Sequence, residues 1–162
     1  MLKYTDTKVV MSEIPDMITL SINISNCPNN CKGCHSSYLK NDIGEELTPE
    51  KLLSLIPDGI DCVCFMGGDS DPLYIIELAK HVKHIGLLVG WYSGKENINK
   101  DVLCNLEYFN FIKIGPYIEE LGPLNNPNTN QRMYEVQLTM ETDNIGSPIY
   151  SLADITDKFW KI

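Results

Sequence analysis

The sequence predicts an α/β protein whose strands run mainly parallel in a partial, open β/α barrel. Three observations lead there. Strand-like and helix-like segments alternate along the chain, which builds parallel sheets through helical crossovers. Residues 60–66 (IDCVCFM) and 85–91 (IGLLVGW) are near-continuous apolar runs, the pattern of parallel strands covered on both faces. The chain has 162 residues. That supplies about four to six strand–helix units, short of the roughly 200 residues an eight-unit barrel requires.

Taken in order, residues 7–13 (TKVVMSE) read as a short first strand. Residues 18–24 (ITLSINI) are rich in β-branched side chains and read as a second. An irregular stretch follows over 25–46, marked by Asn26-Cys27-Pro28-Asn29-Asn30, Asn41-Asp42 and Gly44. Thr48 is the expected N-cap of a helix over about 49–56, with Pro49 at its first position and Pro57-Asp58-Gly59 as its stop. The strand 60–66 runs directly into Gly67-Gly68-Asp69. A helix is expected over 72–84, with Leu73, Ile76, Leu78, Ala79 and Val82 as its apolar stripe. The strand 85–91 ends near Tyr92-Ser93-Gly94, and a short helix is expected over 99–105. The strand 109–114 (FNFIKI) closes at Gly115-Pro116, residues 122–130 are turn chemistry, and 133–140 (MYEVQLTM) alternate like a strand. No repeat or low-complexity segment interrupts this, so the expectation is one domain over 1–162.

Composition narrows the function. Lys and Arg total 13 against 22 Asp and Glu, a formal charge of −9. Such a surface repels phosphate backbones and anionic membranes, so neither nucleic acid nor a membrane is an expected partner. The N-terminus MLKYTDTKVVMSEIPD has no apolar stretch of the signal-peptide kind. The chain reads as cytoplasmic, where thiols stay reduced, and disulfides are not expected.

The six cysteines are distributed unevenly. Cys27, Cys31 and Cys34 form a C-x3-C-x2-C run in a polar loop that also holds Asn29, Lys32 and Gly33. Structural zinc prefers four protein ligands, often as two C-x2-C pairs, and no second pair exists here. His35 adjoins Cys34 and is poorly placed to turn back to the same ion. Three thiolates on one loop suit a [4Fe–4S] cluster with one iron left open. The cysteine run, Gly67-Gly68-Asp69, Tyr92-Ser93-Gly94 and Gly115-Pro116-Tyr117 each directly follow a strand, so all four should gather at one end of the sheet.

This pattern resembles the radical S-adenosylmethionine (SAM) superfamily, whose signature is C-x3-C-x2-C after the first strands of a partial barrel. Gly67-Gly68-Asp69 resembles that family's glycine-glycine-acid motif. Ile114-Gly115-Pro116-Tyr117-Ile118-Glu119, followed by Thr129-Asn130-Gln131-Arg132, resembles the C-terminal signature of one branch, the activating proteins of anaerobic ribonucleoside-triphosphate reductase. The resemblance covers about residues 4–136; about 137–162 would be a C-terminal extension. The branch usually has Gly-Gly-Asp-Pro, whereas Ser70 and Asp71 here separate Asp69 from Pro72. Either Asp69 or Asp71 could therefore face the ligand.

The resemblance implies a radical-SAM-type partial barrel in which Cys27, Cys31 and Cys34 hold three irons of a [4Fe–4S] cluster. It implies SAM on the fourth iron, contacted by Gly33, Cys34, His35, Gly67, Gly68, Asp69 and Ser93. The implied activity is reductive cleavage of SAM to a 5′-deoxyadenosyl radical. That radical would generate a glycyl radical on a large partner, the anaerobic reductase, with a reduced flavodoxin- or ferredoxin-like protein as electron donor. Two alternatives stand beside this: a radical SAM activase of another glycyl radical enzyme, and a non-catalytic zinc or iron–sulfur binding module. No catalytic side chain beyond the cluster is expected.

Several residues carry a plainer alternative. Gly67-Gly68-Asp69 and Tyr92-Ser93-Gly94 are also ordinary strand-ending turns, and His35 also reads as a loop histidine. Cys62 and Cys64 lie two apart on a strand, share a face and read as core, as does Cys104. His81 and His84 read as surface residues. Arg132 is the only arginine in the chain; it could hold a SAM carboxylate, pair with an acid such as Glu119, or face a partner.

Overall fold

The computed structural model describes residues 1–160. It is an α/β protein built on one open, mixed sheet. The strands are β1 (Lys3–Val10), β2 (Thr19–Ile24), β3 (Glu45–Glu46), β4 (Cys62–Met66), β5 (Leu88–Tyr92), β6 (Phe111–Ile114), β7 (Arg132–Thr142) and β8 (Pro148–Asp154). The helices are α1 (Pro49–Leu55), α2 (Pro72–His84) and α3 (Lys100–Leu103). The sheet order is β3-β1-β2-β4-β5-β6-β7-β8. Among the described residues, no helix is long and apolar enough to cross a membrane.

The expectation of mainly parallel strands needs correction. Only the central run β2-β4-β5-β6 is parallel; β1 and β3 on one flank, and β7 and β8 on the other, pair antiparallel. The reason lies in the connections. A parallel return needs a crossover of about a dozen residues or more, usually with a helix. Residues 11–18 and 143–147 are too short for one, and the 115–131 segment contains no helix. The expected boundary near 137 falls inside β7, so the C-terminal segment continues the sheet.

Local signals behave as their chemistry dictates. The Thr48 side chain accepts a hydrogen bond from Lys51 N, and Pro49 opens α1. Asp71 caps α2 by accepting from Tyr74 N at 3.2 Å, with Pro72 at the first position. The buried face of α2 is Ile75, Ile76, Leu78, Ala79 and Val82. Leu73, expected in that stripe, is 63% exposed.

The sheet is covered on both faces. Val63, Phe65, Val89, Trp91 and Ile112 pack against α1, α2 and α3 through Leu52, Ile75, Leu78, Val82 and Val102. The opposite face holds Cys62, Cys64, Phe111 and Met133, closed by Ile14, Leu124 and Ile155. Cys62 and Cys64 are thus core residues on one face, as the period-two spacing requires. Cys104 is exposed, a correction to its expected burial: it caps the short α3, outside the core.

Candidate functional site

The four odd loops do gather at the C-terminal ends of β2, β4, β5 and β6. Residues 25–44 leave β2 and return to it as a closed neck. Asn26 N donates to Asn41 O at 3.0 Å, Cys27 N to Leu39 O at 2.9 Å, and Ser25 Oγ to Ile43 O at 2.6 Å. The neck lets the cysteine run project as one unit. Cys27, Cys31 and Cys34 are free thiols, each half-buried, and all three line one cavity of about 270 Å³ together with Asn29, Met66, Gly67 and Tyr92. Among the described residues, no three Cys, His, Asp or Glu side chains converge closely enough to share a single metal ion.

Asp69 is the hinge of the arrangement. Its carboxylate accepts from Asn29 Nδ2 at 2.6 Å, from Ser93 Oγ at 2.6 Å and from Gly94 N at 2.8 Å. One side chain therefore joins the cysteine loop, the loop after β4 and the loop after β5. Gly94 is needed for this approach: a Cβ there would lie 2.5 Å from Asn29 Nδ2. Asp71 is occupied elsewhere, as the cap of α2 and as the partner of the N-terminal ammonium at 3.3 Å. Asp69, not Asp71, is the acid that reaches the cysteine loop.

The two glycines before Asp69 differ in role. Both have positive φ, +112° at Gly67 and +98° at Gly68. Gly67 lines the cavity, and its carbonyl accepts from Trp91 Nε1 at 2.8 Å. Gly68 is required internally, because a Cβ there would lie 2.5 Å from Ile75 Cδ1 of α2. Gly33 also has positive φ, +75°, and its open side faces the Glu119 carboxylate. Ser93 is 2% exposed and fully engaged, donating to Asp69 and accepting from Lys95 N. His35 is exposed and tilts against Tyr117, with ring centroids 5.8 Å apart. It lines a second cavity with Met66, Tyr92, Lys113, Tyr117 and Gln131. Met66 and Tyr92 separate this cavity from the cysteine cavity, lining both.

The two halves of the C-terminal signature meet. Asn130 Nδ2 donates to Pro116 O at 3.0 Å, and Gly115 is packed against Gln131. Arg132 pairs with Asp154, not Glu119. Its Nε lies 4.0 Å from Asp154 on β8, with both side chains over 40% exposed, a pair of little energetic weight. His81 is a surface residue beside Glu77, and His84 is exposed.

Two residues escape sequence reasoning. Asn29 looked like a turn residue, yet it delivers the cysteine loop to Asp69. Lys113 is 7% exposed, with Nζ donating to Gly115 O at 2.8 Å and Ser93 O at 3.4 Å. The legible signal was a lysine inside the apolar run FIKI, since lysine is rarely enclosed without purpose. Burial lowers its pKa to about 8, against the opposing pull of Asp69 and the three thiols. Burial also pushes the Cys27 thiol up, aided by the Asp69 charge and resisted by hydrogen bonds from Asn29.

Comparison with protein families, curated proteins and solved structures finds no match. The fold and site define an α/β protein with a thiol-lined cavity at the end of a short parallel run.

Proposed function

We propose that this protein is a radical SAM enzyme of the glycyl-radical-activating kind, with a partial barrel formed around β2-β4-β5-β6. The observation that carries the reading is Asp69, whose carboxylate ties the three-cysteine loop to the ends of β4 and β5. The three thiols and Gly67 line one cavity, and the Asp69 carboxylate is bound to Asn29 of the same lining, a set that suits this chemistry.

The donor set fits a [4Fe–4S] cluster. Three soft thiol donors line one cavity, and among the described residues lining it there is no further Cys, His, Asp or Glu. In such a cluster each thiolate holds a different iron, so the sulfurs need not converge as they would on one ion. Held by Cys27, Cys31 and Cys34, such a cluster would supply the one-electron reduction that cleaves SAM and, through it, hydrogen-atom abstraction from a glycine of the partner.

The chain's own residues do the rest. Cys27, Cys31 and Cys34 bind as thiolates and release their protons on loading. The neck at 25–27 and 39–43 fixes where they sit. Gly67 lets a ligand approach the backbone, and Asp69 supplies the negative charge that suits the SAM ammonium. Ser93 and Asn29 orient that carboxylate. Tyr92 closes the floor by donating its hydroxyl to Glu13 O at 2.5 Å. The open sheet leaves the cavity reachable by a loop of a large protein partner, such as the anaerobic ribonucleotide reductase.

The test is anaerobic reconstitution with iron and sulfide, then dithionite and SAM, with 5′-deoxyadenosine quantified. Product formation that is lost in Cys27→Ala, Cys31→Ala and Cys34→Ala is the expected outcome. A colourless protein that binds zinc and leaves SAM intact would overturn the enzyme reading in favour of a binding module.

A further inference from the structure

Strand β6 alternates its side chains between the two sheet faces. Phe111 and Lys113 point to one side, where Met133 of β7 lies opposite Lys113. Cys62, Cys64, Phe111 and Met133 make most of that face apolar, and position 113 lies at its end, beside the cavity lined by His35, Met66 and Tyr92. The chain encloses an ammonium group there. Its contacts are the carbonyls of Gly115 and Ser93 and the ring of Tyr92, whose centroid lies 5.9 Å away. Carbonyls and an aromatic face solvate a cation, but they do not neutralise it. Among the described residues, no carboxylate lies within ion-pair distance of Lys113. Tyr92 also lines the cysteine cavity, and Ser93, whose carbonyl holds the ammonium, donates its hydroxyl to Asp69, so Lys113 stands one residue behind that cavity. The acids whose charge acts on it are Asp69 and the thiols of Cys27, Cys31 and Cys34.

An enclosed charge without a paired counterion is unfavourable unless something anionic is to come. The geometry points to Lys113 as a built-in countercharge for an anionic metal–thiolate group held by the cysteine loop, easing that group's uptake of an electron. This rests on the reading of the cysteine loop as a [4Fe–4S] site. Three thiolates and Asp69 concentrate negative charge at the end of β2, β4 and β5. Adding one electron from an external reductant adds one more negative charge. A fixed ammonium nearby favours the reduced form over the oxidised one by Coulomb attraction, and the low-dielectric surroundings strengthen it. The ammonium keeps its proton throughout. Its hydrogen bonds to Ser93 and Gly115 also pin it between the ends of β5 and β6, so the countercharge is positioned in advance.

The experiment compares wild type, Lys113→Arg and Lys113→Met. Each is reconstituted anaerobically with iron and sulfide, without SAM, and titrated with dithionite at pH 7, reduction being followed by electron paramagnetic resonance. Thermal unfolding of the metal-free proteins is recorded in parallel. The expected result is a more negative midpoint potential for Lys113→Met, a near wild-type value for Lys113→Arg, and no loss of melting temperature for metal-free Lys113→Met. A folded Lys113→Met that retains no cluster while Lys113→Arg retains it also supports the countercharge. Equal potentials in wild type and Lys113→Met overturn it, as does equal loss of the cluster from both variants. A wild-type protein that assembles no cluster overturns the underlying reading, and this role with it.

Discussion

Asp69 joins three segments that are distant in sequence: Asn29 is 40 residues away, Ser93 is 24 and Gly94 is 25. Its replacement by alanine strands a buried serine hydroxyl and a backbone N–H at once. Hydrogen bonds to a charged group contribute about 1.5–3 kcal/mol each, and solvent recovers part of that at the half-buried Asn29. Asp69→Ala should therefore destabilise the metal-free protein by about 3 kcal/mol, a fall of about 6–12 °C in melting temperature for a chain of this size. Thermal unfolding followed by circular dichroism checks this, and an unchanged melting temperature would show that the three bonds are not formed in solution.

At the scale of elements, the antiparallel flank β7–β8 is anchored at one end and free at the other. Near Arg132, Thr156 is 1% exposed; its Oγ accepts from Met133 N at 2.9 Å and donates to Asp154 at 2.5 Å. Ile155 completes the core beside Met133. At the far end Leu138, Met140 and Ile145 stand largely in solvent. Stability should follow that division. Thr156→Val keeps the shape but leaves the Met133 N–H buried without a partner, an expected loss of about 1–3 kcal/mol. Met140→Ala should change stability by less than about 0.5 kcal/mol. Urea unfolding midpoints of the two variants decide the matter; equal shifts would mean that the flank folds as one unit.

For the whole molecule, buried titratable groups shape the pH dependence of stability. Lysine in the unfolded chain keeps its proton up to the ordinary value of 10.5, whereas folded Lys113 releases it near 8. Between those values the unfolded state holds more protons, so this group makes stability rise with pH. Cys62 acts oppositely: burial pushes it from 9.0 up to about 12. Above pH 9 the native state holds more protons, and stability falls as pH rises; Cys64 and Tyr92, both raised by burial, add to the fall. The metal-free protein should gain stability from pH 8 to 9 and lose it above about 10. Lys113→Met should lack the gain, its advantage over wild type shrinking by about 3 kcal/mol between pH 8 and 10.5. Urea unfolding of both proteins across that range measures the difference, and parallel curves would show that Lys113 is not enclosed as described.

Sequence by itself determined the local elements. Thr48-Pro49 and Pro72 carry capping chemistry within a few residues, so α1 and α2 were legible to within a residue or two. The apolar runs at β4 and β5 were legible because burial on both faces leaves few polar positions, and β2 was legible from its β-branched side chains. The cysteine spacing marked the loop whose three thiols line one cavity, and the strand-ending turns placed that loop at one end of the sheet. Tertiary structure decided the rest. The pairings of β3 and β8, and the antiparallel flanks, depend on which strand edges meet across long stretches of chain, which local pattern does not encode. Ile75 rather than Leu73 faces the core of α2 because the sheet, not the helix, sets the contact face. Asp69 rather than Asp71 reaches the cysteine loop because Asp71 is held at the helix start. Lys113 is enclosed only because the ends of β5 and β6 close around it, and enclosure is a property of neighbours and not of the residue.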